Sequence, residues 1–384
     1  MIHIIGAGVS GLAAATKLAD AHMPVRLYEA TAHAGGRARS SNHPTLKTID
    51  HGLHFIEGDS PELFAYLTRI GAQGTLARID HPLAPQRAPI LDYLPLLSLL
   101  MKRNGHAQEA MEADNILRSG WASRVARLLF HTDLEELNAA ATRRVTRRYL
   151  KRGKRPRAYM AARSLNESFI SPALAHLDYR GAGVYFNHTL KSLERDQGWV
   201  NQLSFAKQKV VVDADDIVIL AMPSPAVTQL LPEIEISDSM QSAITIHYMI
   251  EHREGERVAT PRDAAFDLIR YQPKRISISV RLANHLWHGD VDFLAQRLWK
   301  QVVTLHPYLD TKMPAHAVWR EKYASHSLST DRRVTLPPLG ERLLVAGDWC
   351  EATVAGSLES AAASGHRAAE RAMDILGPRV YRHQ

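Results

Sequence analysis

The chain has 384 residues, enough for two packed units, and 45% of them are hydrophobic, which supplies a sizeable core and excludes a disordered chain. Its one cysteine, Cys350, excludes an intrachain disulfide or a cysteine-built metal cage, fits a reducing compartment, and reads as a small side chain packed beside a loop. The formal charge of +7 is local, because nine basic residues and no acid lie between Arg143 and Arg157, and everything else nets about −2.

The chain opens on an apolar strand, Ile2 to Ile5, that runs into Gly6, Gly8 and Gly11. Val9, Leu12, Ala13, Leu18 and Ala19 then recur at helical spacing up to a break at Pro24, and a second strand, Val25 to Tyr28, ends at Glu29. In such a unit the first glycine permits the tight turn, the second lets backbone approach a pyrophosphate, and the third lets helix and strand pack closely. An acid about twenty residues past the glycines accepts hydrogen bonds from an adenosine ribose and disfavours a 2′-phosphate, so NADP is disfavoured. A glycine triplet alone describes any Gly-rich turn; strand, glycines, helix, strand and acid in register predict a bound dinucleotide.

Gly35-Gly36-Arg37 follows where an NAD-type domain would enter its next element, and suits a loop folding back on an anionic group near the first helix N-terminus. Residues 81 to about 167 read as mostly helical, with Trp121, Val125, Leu128 and Leu129 at helical spacing. The Leu-rich stretch Ile90 to Met101 is interrupted by Asp92 and Pro95 and is too short to span a bilayer. For the basic run at 143–157 three readings stay open: a solvated helix face, an anionic lipid contact, or nucleic acid. No aromatic interleaving supports nucleic acid, whereas apolar burial beside lipid electrostatics gives the membrane reading a motive.

A middle piece carries strand-like runs at Gly183 to Phe186, Thr189 to Leu193 and Val210 to Val212, then a continuous apolar strand, Asp216 to Met222, closed by Pro223. Strands are expected at Ser242 to Glu251 and Arg275 to Leu282, then a helix from about Val291 to His306. Near the end, Leu343 to Ala346 reads as a buried strand leading into Gly347-Asp348-Trp349, and Gly356-Ser357-Leu358-Glu359 opens a helix whose N-terminus offers N–H groups to an anion or a carbonyl-rich ring. Of twenty histidines, His51/His54 and His285/His288 lie three apart, but no third ligand accompanies either pair and no metal is expected. No Gly-x-Ser-x-Gly elbow occurs.

Together, Gly6-x-Gly8-x-x-Gly11, Glu29, Gly35-Gly36-Arg37, Asp50-x-Gly52, Gly347-Asp348 and Gly356-Ser357-Leu358 resemble the FAD-binding pattern of the amine oxidase and carotenoid desaturase superfamily. Within it the chain is most similar to the hydroxysqualene dehydroxylases of bacterial hopanoid biosynthesis, the squalene-associated FAD-dependent desaturases, through Ile49 to His54, Ala243 to Tyr248, Arg320 to Ala324 and Leu343 to Trp349. The resemblance implies an α/β fold: a Rossmann-like, glutathione-reductase-like FAD-binding domain with an inserted α+β substrate domain. Residues 1–80, 168–231 and 331–384 would form the first, and 81–167 with 232–330 the second. It implies FAD held by Gly6, Gly8, Val9, Ser10, Gly11, Glu29, Ala30, Gly35, Gly36, Arg37, Gly52, Leu53, His54, Gly347, Asp348, Gly356, Ser357 and Leu358, with Leu190 meeting adenine through backbone atoms. Trp349, directly after Gly-Asp, is placed near the flavin, with plain core packing as the alternative.

The activity so implied is reductive dehydroxylation of hydroxysqualene to squalene, with hydride from reduced flavin. The flavin carries the chemistry, and His54, Glu359 and solvent stand as candidate acids for assisted C–O ionisation. An FAD-dependent amine oxidase, a polyene or carotenoid desaturase, or a non-catalytic isoprenoid-lipid carrier on the same fold are the rivals. The implied partners are an isoprenoid-type lipid and an external electron donor, without nucleic acid. The apolar start is only a strand long and is consumed by the glycine motif, so a cytoplasmic location is expected, with peripheral contact to the inner membrane face through the Leu-rich and basic segments.

Overall fold

The computed structural model describes residues 1–82, 120–140, 142–143, 157–196, 199–236, 240–261, 264–327, 339–350 and 356–377. The Leu-rich stretch at 90–101 and residues 144–156 of the basic run lie outside the described residues. The first segment folds as β1 (Ile2–Ile5), α1 (Val9–Asp20), β2 (Val25–Tyr28), β3 (Ser40–His43), β4 (Lys47–Asp50), β5 (Ile56–Glu57), α2 (Pro61–Arg69) and β6 (Leu76–Ile79). Next come α3 (Gly120–Val125), continued by a π-helical turn at Ala126–Phe130, then β7 (Ala158–Ala161), a second π-helical turn at Asn166–Ile170, and α4 (Ser171–Tyr179). The middle piece is β8 (Gly183–Tyr185), β9 (Leu190–Asp196), β10 (Trp199–Phe205), β11 (Lys209–Val211), β12 (Ile217–Leu220) and α5 (Ser224–Leu230). It is followed by β13 (Met240–Met249), β14 (Arg257–Ala259), β15 (Leu268–Gln272), β16 (Arg275–Arg281), α6 (Val291–Leu305) and β17 (His316–His326), and then by β18 (Leu343–Val345) and α7 (Leu358–Leu376).

Five parallel strands in the order β18-β12-β1-β2-β8 form the first sheet, with Ile2 opposite both Val25 and Ile217. Every residue of β1 and β12 is buried, because helices cover one face and a second sheet the other, so these strands read as unbroken apolar runs. On the helical face α1 crosses α7 so closely that a Cβ on Gly365 would lie 2.1 Å from the Ser10 carbonyl oxygen. On the opposite face Leu203 and Phe205 of the β11-β10-β9 meander pack with Tyr28, Leu220 and Trp349.

The other large sheet is antiparallel, β14-β15-β16-β13-β17. Its two faces follow the period of two along each strand. Ile244, Ile246 and Tyr248 of β13 and Ile276, Ile278 and Val280 of β16 meet Leu298, Trp299 and Val302 of α6. Thr245, His247, Ser277 and Ser279 fall on the alternate positions, and they are buried as well, so this face is polar yet covered. Asp290 starts α6 by accepting from the N–H groups of Asp292 and Phe293.

Two expectations change. Residues 158–161, placed in a mostly helical stretch, form a strand that pairs with both β5 and β6. The reason is the alternation of buried Ala158 and Met160 with a half-buried Tyr159, a strand period that the flanking basic run obscures. The strand β17, after the expected helix, was not anticipated; it is eleven residues long with a charged, mostly partly exposed centre that lacks an apolar alternation.

Candidate active site

The glycine turn leaves α1 with Gly8 as its N-cap and no side-chain cap, so the first N–H groups are open to a ligand. A Cβ on Gly8 would meet nothing within 4 Å, whereas one on Gly11 would lie 1.9 Å from the Gly6 carbonyl oxygen. Gly8 therefore borders free space at a helix N-terminus, and Gly11 marks the point where turn and helix press together. Ser10 Oγ, in the same first turn, is buried without a hydrogen-bond partner. An anionic pyrophosphate fits this combination of open N–H groups, space and an orphaned hydroxyl.

Gly35 donates its N–H to the Ala7 carbonyl at 2.7 Å and pairs with Gly8, so the Gly-Gly-Arg loop does fold back on the turn. Glu29 is buried and spans the turn: one carboxylate oxygen accepts from the Ala7 N–H at 2.9 Å, and the other from the Thr31 N–H at 2.9 Å and its hydroxyl at 3.0 Å. Those bonds orient it while leaving lone pairs for ribose hydroxyls. The Thr189 hydroxyl donates to the Ala30 carbonyl at 3.2 Å, which sets Ala30 beside the start of β9 at Leu190.

Arg37 leaves the loop and pairs with the buried carboxylate of Asp348, and its other nitrogen donates to the Ala324 carbonyl at 3.1 Å. Burial by itself raises the Asp348 carboxyl, but Arg37 and His326 outweigh it and hold the group below the usual carboxylate range. The anionic group that the loop meets is thus a side chain of the C-terminal piece, and the ion pair ties residues 37 and 348 across the site.

Beyond this pair opens a cavity with about 1160 Å³ of empty space, part of it open to solvent. Arg37, Gly52, Leu53, His54, Gly356, Ser357, Leu358 and Glu359, all singled out by sequence, line it together. Leu53, Phe55, Leu63, Leu128 and Leu129 make an apolar wall. Thr245, Ser279 and Arg281, from the polar face of the antiparallel sheet, make the floor, with Ser242 near the start of β13 beside them. Several lining residues escaped the sequence reading, among them His131 and Arg281, which sit in no motif and are brought here by α3 with its π-helical turn and by β16. Trp349 is the alternative realised: it is fully buried in the core under the parallel sheet, donates its indole N–H to the Met222 carbonyl at 2.8 Å, and does not line the cavity.

His54 is lowered to about 4, first by burial and then by Arg281 and Arg37, so its ring is neutral at pH 7 and offers a hydrogen bond and no imidazolium proton. Glu359 accepts from the backbone N–H groups of Leu63 at 2.8 Å and Glu62 at 3.3 Å, so its carboxylate caps α2 from the neighbouring helix. His51 stacks on Trp319 with ring centroids 3.4 Å apart and is lowered to about 3 by burial and by Arg39. Among the described residues no three His, Cys, Asp or Glu side chains are grouped to hold a metal ion. Ser357 caps α7 through a reciprocal box with Ser360, which fixes where that helix N-terminus faces the cavity.

Comparison with known proteins bears on the same segments. The profile of the NAD(P)-binding Rossmann-like domain matches residues 4–70, and that of the flavin containing amine oxidoreductases matches residues 100–373. The chain is 31% identical to a hydroxysqualene dehydroxylase of Zymomonas mobilis over 97% of its own length and 98% of that protein's. It is 26% identical to the hydroxysqualene dehydroxylase of Sinorhizobium fredii, again over 97% and 98% of the two chains. Among solved structures, cyclohexylamine oxidase from Brevibacterium oxydans superposes with a TM-score of 0.70 at 15% identity, covering 97% of this chain and 99% of the other. An oxidoreductase from Methanosarcina mazei superposes with a TM-score of 0.71 at 14% identity, covering 96% and 99%. These structural likenesses establish the fold.

Proposed function

The chain belongs to the flavin-containing amine oxidoreductases and, within them, to the hydroxysqualene dehydroxylases, and from that membership we propose that it reductively removes the allylic hydroxyl of hydroxysqualene to give squalene. Its cofactor is FAD. The observation that carries the reading to this substrate is the two-sided cavity, in which an apolar wall suits a polyprenyl chain and a polar floor suits one hydroxyl.

Bound in its two-electron-reduced form, FAD supplies the hydride. The open N–H groups of the α1 turn, with Ser10, would hold the pyrophosphate, and Glu29 would hold the adenosine ribose. Gly52, Leu53, His54 and the Gly356–Leu358 turn, which line the cavity, would flank the reacting end. Leu53, Phe55, Leu128 and Leu129 orient the hydrocarbon and exclude water, so that the allylic cation left by C–O cleavage is met by hydride before solvent.

The chain's division into an FAD-binding part (1–80, 168–231, 331–384) and a substrate part (81–167, 232–330) is part of this proposal, supported by the separate cores of the parallel and antiparallel sheets. So is peripheral attachment to the cytoplasmic face of a membrane, supported by the Leu-rich and basic segments and by the low water solubility expected of a polyprenyl substrate. Among the described residues no helix is long and apolar enough to cross a membrane.

The test is anaerobic. The purified holoprotein is bleached with dithionite and mixed with hydroxysqualene, amines or carotenoid precursors. Return of the oxidised flavin spectrum with hydroxysqualene, and squalene among the products, is expected. Reoxidation by none of them points to a lipid carrier, and oxidation of an amine or polyene by the oxidised form overturns the dehydroxylase reading.

A further inference from the structure

Dehydroxylation needs more than hydride and a greasy wall, because the oxygen leaves with the electron pair of the broken bond. Negative charge therefore develops at one place in the cavity, and the described residues hold an arrangement of donors there. Arg281 closes β16 with its backbone N–H bonded to the buried Asp267 carboxylate at 2.7 Å, and its guanidinium turns into the cavity. Among the described residues it has no ion-pair partner within salt-bridge distance. Its Nη1 donates to His131 Nδ1 at 3.0 Å. A guanidinium only donates, so Nδ1 is the acceptor and the proton of the neutral ring sits on Nε2. That nitrogen faces the Gly356 turn, 3.4 Å from where a Cβ on Gly356 would stand, and both residues line the cavity.

The framework fixes this pair from behind. Arg124 of α3 donates to Asp267 at 2.9 Å and to the Phe266 carbonyl at 2.8 Å, so one fully buried carboxylate anchors both the strand carrying Arg281 and the helix leading to His131. Between Arg124 and His131 the helix widens into the π-helical turn, and His131 itself sits in the left-handed region at φ 52°. A π-turn and a left-handed non-glycine residue in succession are held only where the surroundings determine them, and both commonly mark functional sites.

We propose that Arg281 and His131 receive the departing hydroxyl, the guanidinium and the His131 Nε2–H donating to its oxygen as the carbon–oxygen bond breaks. The proposal rests on the dehydroxylase reading. In the step, the C–O bond breaks with both electrons on oxygen, and the hydroxide so formed leaves through the open end of the cavity to solvent, where the acid form of the buffer protonates it to water. The allylic carbon gains hydride from two-electron-reduced FAD, which is oxidised. Arg281 and His131 stabilise charge and keep their protons. Among the described residues a half-buried guanidinium with no carboxylate within salt-bridge distance, and Asp267 acting on it only from farther off, becomes useful under these conditions, since its field is strongest on the charge that forms beside it.

Arg281→Met, Arg281→Lys and His131→Asn, the last chosen because asparagine tolerates the left-handed backbone, test the pair in the holoenzyme. Dissociation constants for hydroxysqualene and for squalene are read from perturbation of the oxidised flavin spectrum, and single-turnover reoxidation of the reduced enzyme is read by stopped flow. The wild type is expected to bind hydroxysqualene more tightly than squalene. Arg281→Met should erase that preference while squalene affinity and flavin content hold, and reoxidation should slow by about 10²–10³-fold, with Lys recovering part of the loss. If Arg281→Met does not retain flavin, His131→Asn reads the same point through the imidazole donor. Equal loss of affinity for both ligands, or reoxidation at the wild-type rate in the variants, overturns the pair's role while leaving the dehydroxylase intact. Failure of hydroxysqualene to reoxidise the wild type overturns the dehydroxylase reading and this proposal with it.

Discussion

Gly8→Ala and Gly11→Ala, three residues apart in one motif, should fail in different ways. Gly8 has φ −73° and ψ 177°, a backbone that alanine adopts freely, and its new methyl would find no atom within 4 Å. The gain from a stiffer unfolded chain, about 0.4–1 kcal/mol, is offset by alanine's poorer N-capping, about 0.5 kcal/mol, so flavin-free stability should stay within about 0.5 kcal/mol of wild type. If backbone meets pyrophosphate here as proposed, the methyl would occupy that space, and FAD affinity should fall at least about tenfold, or about 1.4 kcal/mol. At Gly11 the methyl would stand 1.9 Å from the Gly6 carbonyl oxygen, against an ordinary contact of about 3.5 Å, and the obstacle is backbone. Overpacking of about 3 kcal/mol, less about 1 kcal/mol of helix propensity, predicts a loss near 2 kcal/mol. Urea unfolding of the flavin-free proteins gives the stabilities, so that cofactor linkage does not mask them, and FAD titration gives the affinities. The reasoning is refuted if Gly8→Ala keeps wild-type FAD affinity, or if Gly11→Ala unfolds at the wild-type urea concentration.

Flavin-free protein should lose stability steeply as pH falls from 6.5 towards 4, because burial holds His51 and His131 down to about 3 and His54 and His247 to about 4 while the unfolded chain takes up their protons. Each adds a slope of up to about 1.4 kcal/mol per pH unit, so a thermal midpoint flat between pH 7 and 5 contradicts the assignment. Arg37→Met, which strands the buried Asp348 carboxylate, should cost about 3–5 kcal/mol in denaturant melts, and pairing it with Asp348→Leu should return much of that loss; an additive double variant rules the coupling out. Glu359→Ala should destabilise by about 0.5–2 kcal/mol through the uncapped α2, whereas a Glu359→Gln enzyme that folds normally and no longer turns over would make it an acid instead of a cap. Trp349→Phe should cost about 1 kcal/mol for the lost bond to Met222 and leave the flavin absorption spectrum unmoved; a shifted spectrum would bring that ring back to the cofactor.

What the sequence determined by itself was the cofactor half. The run from Ile2 to Glu29 is contiguous, and its chemistry depends on spacing within one βαβ unit, so strand limits, glycines and acid are legible without any long-range contact. The C-terminal turn at Gly356 was legible for the same reason, with its cap and helix in sequence order. The partners of those residues were not. That Arg37 closes on Asp348, 311 positions away, that Glu359 caps α2, and that Trp349 belongs to the core follow from which strands lie side by side. The polar face of the antiparallel sheet was hidden for a related reason, since buried serines, threonines and an arginine on alternate residues read as a solvent face until another layer covers them. Arg281 and His131 are the clearest case: neither stands in a motif, 150 residues separate them, and only the shared anchor at Asp267 brings a guanidinium and an imidazole to one wall of the cavity.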